Sequence, residues 1–153
     1  MTFAPVSETN DISFIMANPL QQFAERVKRD IESKIRTARA MNGIRLSVGI
    51  NPAAHYPNGK SVAEVAELVE YGTRRMPPRP FMRVAKAENE AAWRGRLRRA
   101  VDKSLKTGQP LDSLLEPIAQ KMKEDVQESI MNFGAYDTGR LHNSVIASVT
   151  KGV

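Results

Sequence analysis

The chain has 153 residues, a formal net charge of +6, and 41% hydrophobic but only 6% aromatic content, as expected of one domain with a mainly aliphatic core. It contains no cysteine, which excludes disulfides and thiolate chemistry and fits a reducing cytoplasm. No apolar run approaches the roughly 20 residues of a membrane span, and the opening MTFAPVSETNDISFIMANP has no early basic cluster of a secretory signal, so a soluble, intracellular protein without a membrane partner is expected.

Residues 1–17 carry no helical period, despite the apolar stretch Ile12–Met16, and read as an extended N-terminal arm. Residues 18–153 read as a single domain. Asn18 is a helix cap and Pro19 suits the first helical position; Leu20, Phe23, Val27, Ile31, Ile35 and Ala38 then recur at helical spacing until Asn42-Gly43. Arg26, Lys28, Arg29 and Lys34 lie off that stripe, which makes an amphipathic surface helix. In IRLSVGI, Ile44, Leu46, Val48 and Ile50 fall on one side of a half-buried strand. NPAAHYPNGK is a loop by composition. Ser61 and Glu64 have capping-box spacing ahead of a short helix through Val62, Val65, Ala66 and Val69, which Gly72 can end.

Pro80 opens the next helix, expected to run to about Lys106 with Trp93, Leu97, Val101 and Leu105 on its buried edge. Its middle is strongly basic: WRGRLRRAVDKSLK sets Arg94, Arg96, Arg98, Arg99, Lys103 and Lys106 against Asp102 alone. TGQP breaks the pattern, and a long helix follows from Leu111 to Phe133, striped by Leu114, Leu115, Ile118, Met122, Val126, Ile130 and Phe133. Pro117 either kinks it or marks its true start. The alternating, β-branched VIASVTKGV is a second strand. The fold class is therefore α+β, with several amphipathic helices packed on a small antiparallel or mixed sheet formed by Ile44–Ile50 and the C-terminal strand.

Catalytic signals are weak throughout. PNGKS imitates the end of a phosphate-binding loop, but Ala54 stands where the first glycine belongs and Pro57 removes a backbone donor. His55 and His142 have no partner at metal-ligand spacing. Asp137, His142 and Ser144 supply the residue types of a hydrolytic triad within one short turn, too close in sequence for its geometry, and Asp112 and Glu116 read as solvated acids. No enzyme activity, metal or cofactor is expected. The basic helix Arg94–Lys106, with Trp93 beside it, supports an alternative class of function: a DNA-binding accessory protein making phosphate contacts.

The most unusual stretch is VEYGTRRMPPRPFMRVA. Met76, Pro77 and Arg79 each precede a proline and are pushed away from helical backbone. Gly72–Pro80 therefore reads as a stiff, extended hook that projects Arg74, Arg75 and Arg79, with Phe81 anchoring its far end in the core. Arg79, held between prolines, is aimed at Glu70 or at an acid on another subunit; a planar guanidinium suits a carboxylate or a row of carbonyls.

This stretch resembles the Glu-Phe-Gly-Thr … Pro-x-Arg-Pro-Phe signature of the head–tail joining and tail-completion proteins of long-tailed bacteriophages. The matching residues are Glu70, Tyr71, Gly72 and Thr73, then Pro77, Arg79, Pro80 and Phe81, with tyrosine where the family more often has phenylalanine. YDTGRLHNSV is similar to the family's second element, Thr-Gly-x-Leu-x-x-Ser, on Thr138, Gly139, Leu141 and Ser144. The order of elements over residues 18–153 agrees as well, although the loop before Thr138 is shorter than is usual in the family. The resemblance implies a structural virion protein at the head–tail junction, assembled in the host cytoplasm. It also implies a ring of six copies, to match a six-fold tail tube, or of twelve. Its partners would be its own copies, neighbouring neck, tail-terminator or tail-tube proteins, and DNA touched non-specifically in the lumen. The expected assembly surface comprises Glu70, Tyr71, Gly72, Arg74, Arg75, Arg79, Pro80, Phe81, Arg94, Arg98, Thr138, Gly139 and Leu141.

Overall fold

A computed structural model describes residues 11–135 and 137–151 of the chain. In chain order these form α1 (Asp11–Met41), β1 (Ile44–Ile50), α2 (Val62–Tyr71), α3 (Phe81–Thr107), α4 (Leu111–Asn132), α5 (Arg140–Asn143) and β2 (Val145–Lys151). The fold is α+β and mostly helical, with the expected pair of strands as its sheet. That pairing is antiparallel, in a register running from Ile44 opposite Lys151 to Ile50 opposite Val145.

Strand alternation sorts the two faces of this ribbon. Ile44, Leu46, Val48, Val145 and Val149 turn to the helices, whereas Ser47 and Ser148 meet on the outer face at 3.0 Å. A two-stranded ribbon needs a helix behind it to be stable in water, and α4 supplies that support. Its stripe is buried on both sides, by the sheet and by α3, with Leu115, Val126 and Ile130 fully enclosed. The core divides along α4. One part gathers Val62, Ala66, Phe81, Ala85, Val126, Ile130, Leu141 and Val145. The other gathers Ala100, Leu111, Leu115, Ile118 and Met122, with Trp93 and Leu97 against it. Between α3 and α4, buried Asp125 accepts the Trp93 indole N–H at 2.8 Å and pairs with Lys121 at 2.8 Å, so this carboxylate is not left unpaired in the interior.

Two local expectations are corrected. The first helix begins at Asp11, so residues 11–17 are helical rather than an extended arm, and residues 1–10 lie outside the described residues. Pro19 sits inside the helix, where its fixed φ is helical but it removes one backbone bond and its ring crowds the carbonyl of the preceding turn. Asn18, freed from a capping role, accepts a hydrogen bond from the Gln22 amide at 2.8 Å. Second, Ser61 stands at the N-cap position of α2 but makes no side-chain cap; it is held in a bridge with His55, and the Val62 N–H donates to the Ala54 carbonyl at 3.0 Å. As expected, α4 begins at Leu111, and of the two alternatives for Pro117 the residue lies inside the helix rather than at its start. Pro117 faces solvent, where water can satisfy the carbonyl whose partner it removes.

From Pro19 to Arg36, α1 is exposed on every side. Met41, in its last turn, packs on the second core part, but Leu20, Phe23, Val27, Ile31 and Ile35 stand in solvent, with Leu20 72% and Phe23 61% exposed.

Candidate assembly surface

Gly72 ends α2 with φ 76° and ψ 176°. A Cβ there would lie 2.7 Å from the Pro78 nitrogen and 2.8 Å from the Met76 carbonyl oxygen, so both the backbone angle and the close approach require glycine. The hook is only partly the extended connector expected. Residues 73–76 close a tight turn instead: Thr73 N–H donates to the Met76 carbonyl at 2.8 Å, and the Thr73 hydroxyl accepts the amides of Arg75 and Met76 at 3.2 and 3.1 Å. The proline restriction acts on the residue before each proline and leaves Thr73, Arg74 and Arg75 free to turn. Residues 77–79 have no regular structure, and Pro80 (φ −79°, ψ 59°) turns the chain into α3, with the Phe81 N–H donating to the Arg79 carbonyl at 2.8 Å.

That helix has Pro80 at its N-cap position, so it has no cap side chain of its own, and it has no acid in its first turn. Glu70 supplies both from α2. Only 5% exposed, its carboxylate accepts the amides of Met82 and Arg83 at 2.8 and 3.1 Å, which satisfies two of the free N–H groups at the positive end of the helix. Arg83 completes the arrangement. Its Nε donates to Glu70 at 2.9 Å, its Nη2 donates to the Glu70 carbonyl at 3.1 Å, and its guanidinium lies 4.8 Å from the Tyr71 ring centre.

Glu70 is therefore not the partner of Arg79. The Arg79 Nη1 instead donates to the Gly134 carbonyl at 2.9 Å, while its backbone N–H donates to Val69 at 2.7 Å. Geometry decides this: Arg83, in the first turn of α3, reaches both the carboxylate and the backbone carbonyl of Glu70, and Arg79 at the bend bonds the Gly134 carbonyl just past the end of α4. Phe81 is buried in the first core part, and its carbonyl accepts the Ser129 hydroxyl at 2.7 Å.

The Thr-Gly element packs beside this. Gly139 takes the left-handed conformation, φ 74°, ahead of α5. Leu141 is buried, and the Ser144 hydroxyl donates to the Leu141 carbonyl at 2.7 Å, so Ser144 is committed to its own turn. Gln127 and Arg140 tie the element to α4 and to the 51–60 loop through the carbonyls of His142 and His55. A cleft of about 590 Å³ between hook and turn is lined by Tyr56, Val69, Met76, Arg79, Asp137 and Leu141, among others. Burial first, and the nearby Asp137 charge second, push the Tyr56 phenol above its ordinary 10.0, with Arg140 opposing.

Of the expected surface residues, the fold gathers Glu70, Tyr71, Gly72, Arg74, Arg75, Arg79, Pro80, Phe81, Thr138, Gly139 and Leu141 at one end. They serve two purposes. Glu70, Phe81, Gly139 and Leu141 are buried and hold the end together, whereas Tyr71 (64% exposed), Arg74, Arg75 and Thr138 face outward. Arg94 and Arg98 are not part of this end; Arg94 lies about 20 Å along α3, paired with Glu90 at 2.6 Å. Sequence reasoning missed Arg83 and the exposed Leu68 beside Tyr71. The signal for Arg83 was a helix with no cap of its own following a conveniently placed acid.

Among the described residues no helix is long and apolar enough to cross a membrane, and no group of three or more histidines and acids is placed to hold a metal. Comparison with known protein families, curated proteins and solved structures gave no match.

Proposed function

We propose that this protein is a non-enzymatic structural component of the neck or tail end of a long-tailed bacteriophage, acting as a ring between the capsid portal side and the tail tube. The observation that carries the reading is the meeting of the two signature elements, far apart in sequence, at one end of the molecule, where Arg79 of the hook bonds Gly134 just ahead of the Thr-Gly turn. Their buried residues make that end rigid, and their exposed residues give it a rim of Leu68, Tyr71, Arg74 and Arg75. A rigid apolar and cationic rim loses little entropy on docking and suits an acidic, partly apolar neighbour. In this reading the chain assembles in the host cytoplasm, repeats six or twelve times around the phage axis, and meets adjoining neck, terminator or tube proteins without any cofactor.

The test replaces Arg74 and Arg75 by glutamate and Tyr71 by alanine. The variant keeps its helical circular dichroism and its cooperative melt, and heads and tails accumulate unjoined. Normal yields of joined particles would overturn the reading.

A second reading retains one specific observation. Arg96, Arg99, Lys103 and Lys106 share one exposed face of α3, a row suited to phosphates. Sequence-independent duplex binding by the isolated protein, weakening steeply with salt, would favour a DNA-binding accessory role.

A further inference from the structure

α1 leaves an apolar stripe without cover, and the same chain carries an apolar groove without an occupant. The groove, about 420 Å³, runs along α3 from Met82 to Leu97 above a floor of Leu46, Val48, Ile118 and Met122, and Trp93 forms part of its wall. The chain's own stripe stays outside it: Leu20, Phe23, Val27 and Ile31 are exposed. The last turns of α1 instead lie beside the opposite end of α3, near Ser104 and Gly108–Asp112.

Stripe and groove match in length and in charge. Leu20 to Ile35 and Met82 to Leu97 each cover about 22 Å of helix. The exposed edge of the groove carries Lys86, Glu90 and Arg94, an alternating row at four-residue spacing. One edge of the α1 stripe carries Lys28 and Glu32, opposite charges at the same four-residue spacing, about 6 Å. Setting Lys28 against Glu90 brings Glu32 against Arg94 or Lys86, depending on the direction of the helix. The reverse pairing, one α1 stripe on another, leaves both grooves empty.

We infer that the occupant of the groove is α1 of a second copy of this chain. Each copy then gives its stripe to one neighbour and receives a stripe from the other. Such a head-to-tail contact uses two different surfaces and propagates around a ring if its rotation closes. This deepens the neck reading, which alone says why the chain should close into a ring; the contact itself rests on the stripe and the groove.

The chain lacks cysteine, so single introduced thiols report cleanly. Full-length Val27→Cys protein is mixed with Leu97→Cys protein and treated with a short bismaleimide at increasing concentration. Lys86→Cys, on the exposed rim, serves as a second groove probe that leaves the core untouched. The expected product is a mixed Val27–Leu97 or Val27–Lys86 dimer formed only in the mixture, and Val27→Asp in otherwise native protein weakens self-association at least about ten-fold in sedimentation. A dimer from Val27→Cys alone would mean that stripes pair with stripes. An intramolecular link in the Val27→Cys, Leu97→Cys double variant would mean that each helix folds into its own groove. Either product, or no link at any concentration, overturns the inference. A particle ring without this link would sink the contact and leave the neck reading; a link in a protein absent from virions would do the reverse.

Discussion

At the residue scale, the hook is built from single groups with no substitutes. Glu70 satisfies two amides of α3 and also meets Arg83. Glu70→Ala would orphan those donors, a loss of about 1–3 kcal/mol, whereas Glu70→Gln keeps an acceptor and costs less, because the Arg83 side chain is more than half exposed and its charge pair is screened. Urea titration of the two variants checks that order. Gly72→Ala faces both a positive φ and contacts under 3 Å with the hook backbone; it should destabilise by about 1–3 kcal/mol from the strained backbone, and more if residues 76–78 cannot shift. Phe81→Ala deletes a fully buried ring and should cost about 3–5 kcal/mol, read as a lowered midpoint of unfolding. Tyr56 gives a pH signature. Its raised folded-state value means that both states are neutral below pH 10, so its contribution is constant there. Above pH 10 the unfolded chain ionises first, and stability falls as pH rises towards the folded value. Tyr56→Phe should flatten that alkaline slope relative to the parent chain in denaturation between pH 9 and 11.

At the element scale, α3 serves different needs along its length. Its first turn is capped by Glu70, its inner face carries Phe81, Ala85 and Ala100 into the core, and its outer face is basic. Arg94, Arg96, Arg98 and Arg99 are all exposed, so replacing them by glutamine should leave the melting curve nearly unchanged, as surface substitutions away from structural features usually do. If they meet an acidic neighbour or packaged DNA, infectious particle yield should drop; an unchanged yield would mark them as a solubilising face. α1 differs from α3 in being exposed throughout from Pro19 to Arg36. Helices gain most of their stability from packing an apolar face, so the N-terminal half of α1 should show weak amide-exchange protection in dilute protein, and strong protection once the chain self-associates.

At the scale of the whole molecule, the rigid end and the open stripe lie on different elements, which allows one surface to face an adjoining layer while another joins copies. The neck reading then predicts that copies of this chain repeat six or twelve times around the phage axis, visible as rotational symmetry in averaged particle images; any other count would remove the ring part of the proposal.

Periodicity and punctuation, which are local, made the elements of this chain legible in its sequence. The 3.6-residue stripes of α3 and α4, the alternation of Ile44–Ile50, and the stops at Gly72 and Gly108 reflect backbone physics that acts over a few residues. The same local logic exposed the proline-rich hook, and two β-branched segments were enough to expect one small sheet. Which groups meet across the fold was decided only in three dimensions. Arg79 and Arg83 are both arginines near Glu70 in sequence, yet the turn at 73–76 and the first turn of α3 give the carboxylate to Arg83 and send Arg79 to Gly134. Ser61 has the spacing of a cap and stands at the start of α2, yet its side chain makes no cap bond, and the first amide of the helix, that of Val62, goes to Ala54 in the preceding loop. The stripe of α1 looked like any core-facing helix; its exposure follows from where Met41 and the Asn42-Gly43 turn attach it. Burial and pairing depend on the positions of distant segments, and a side chain's spacing along its own helix carries no information about what stands opposite it.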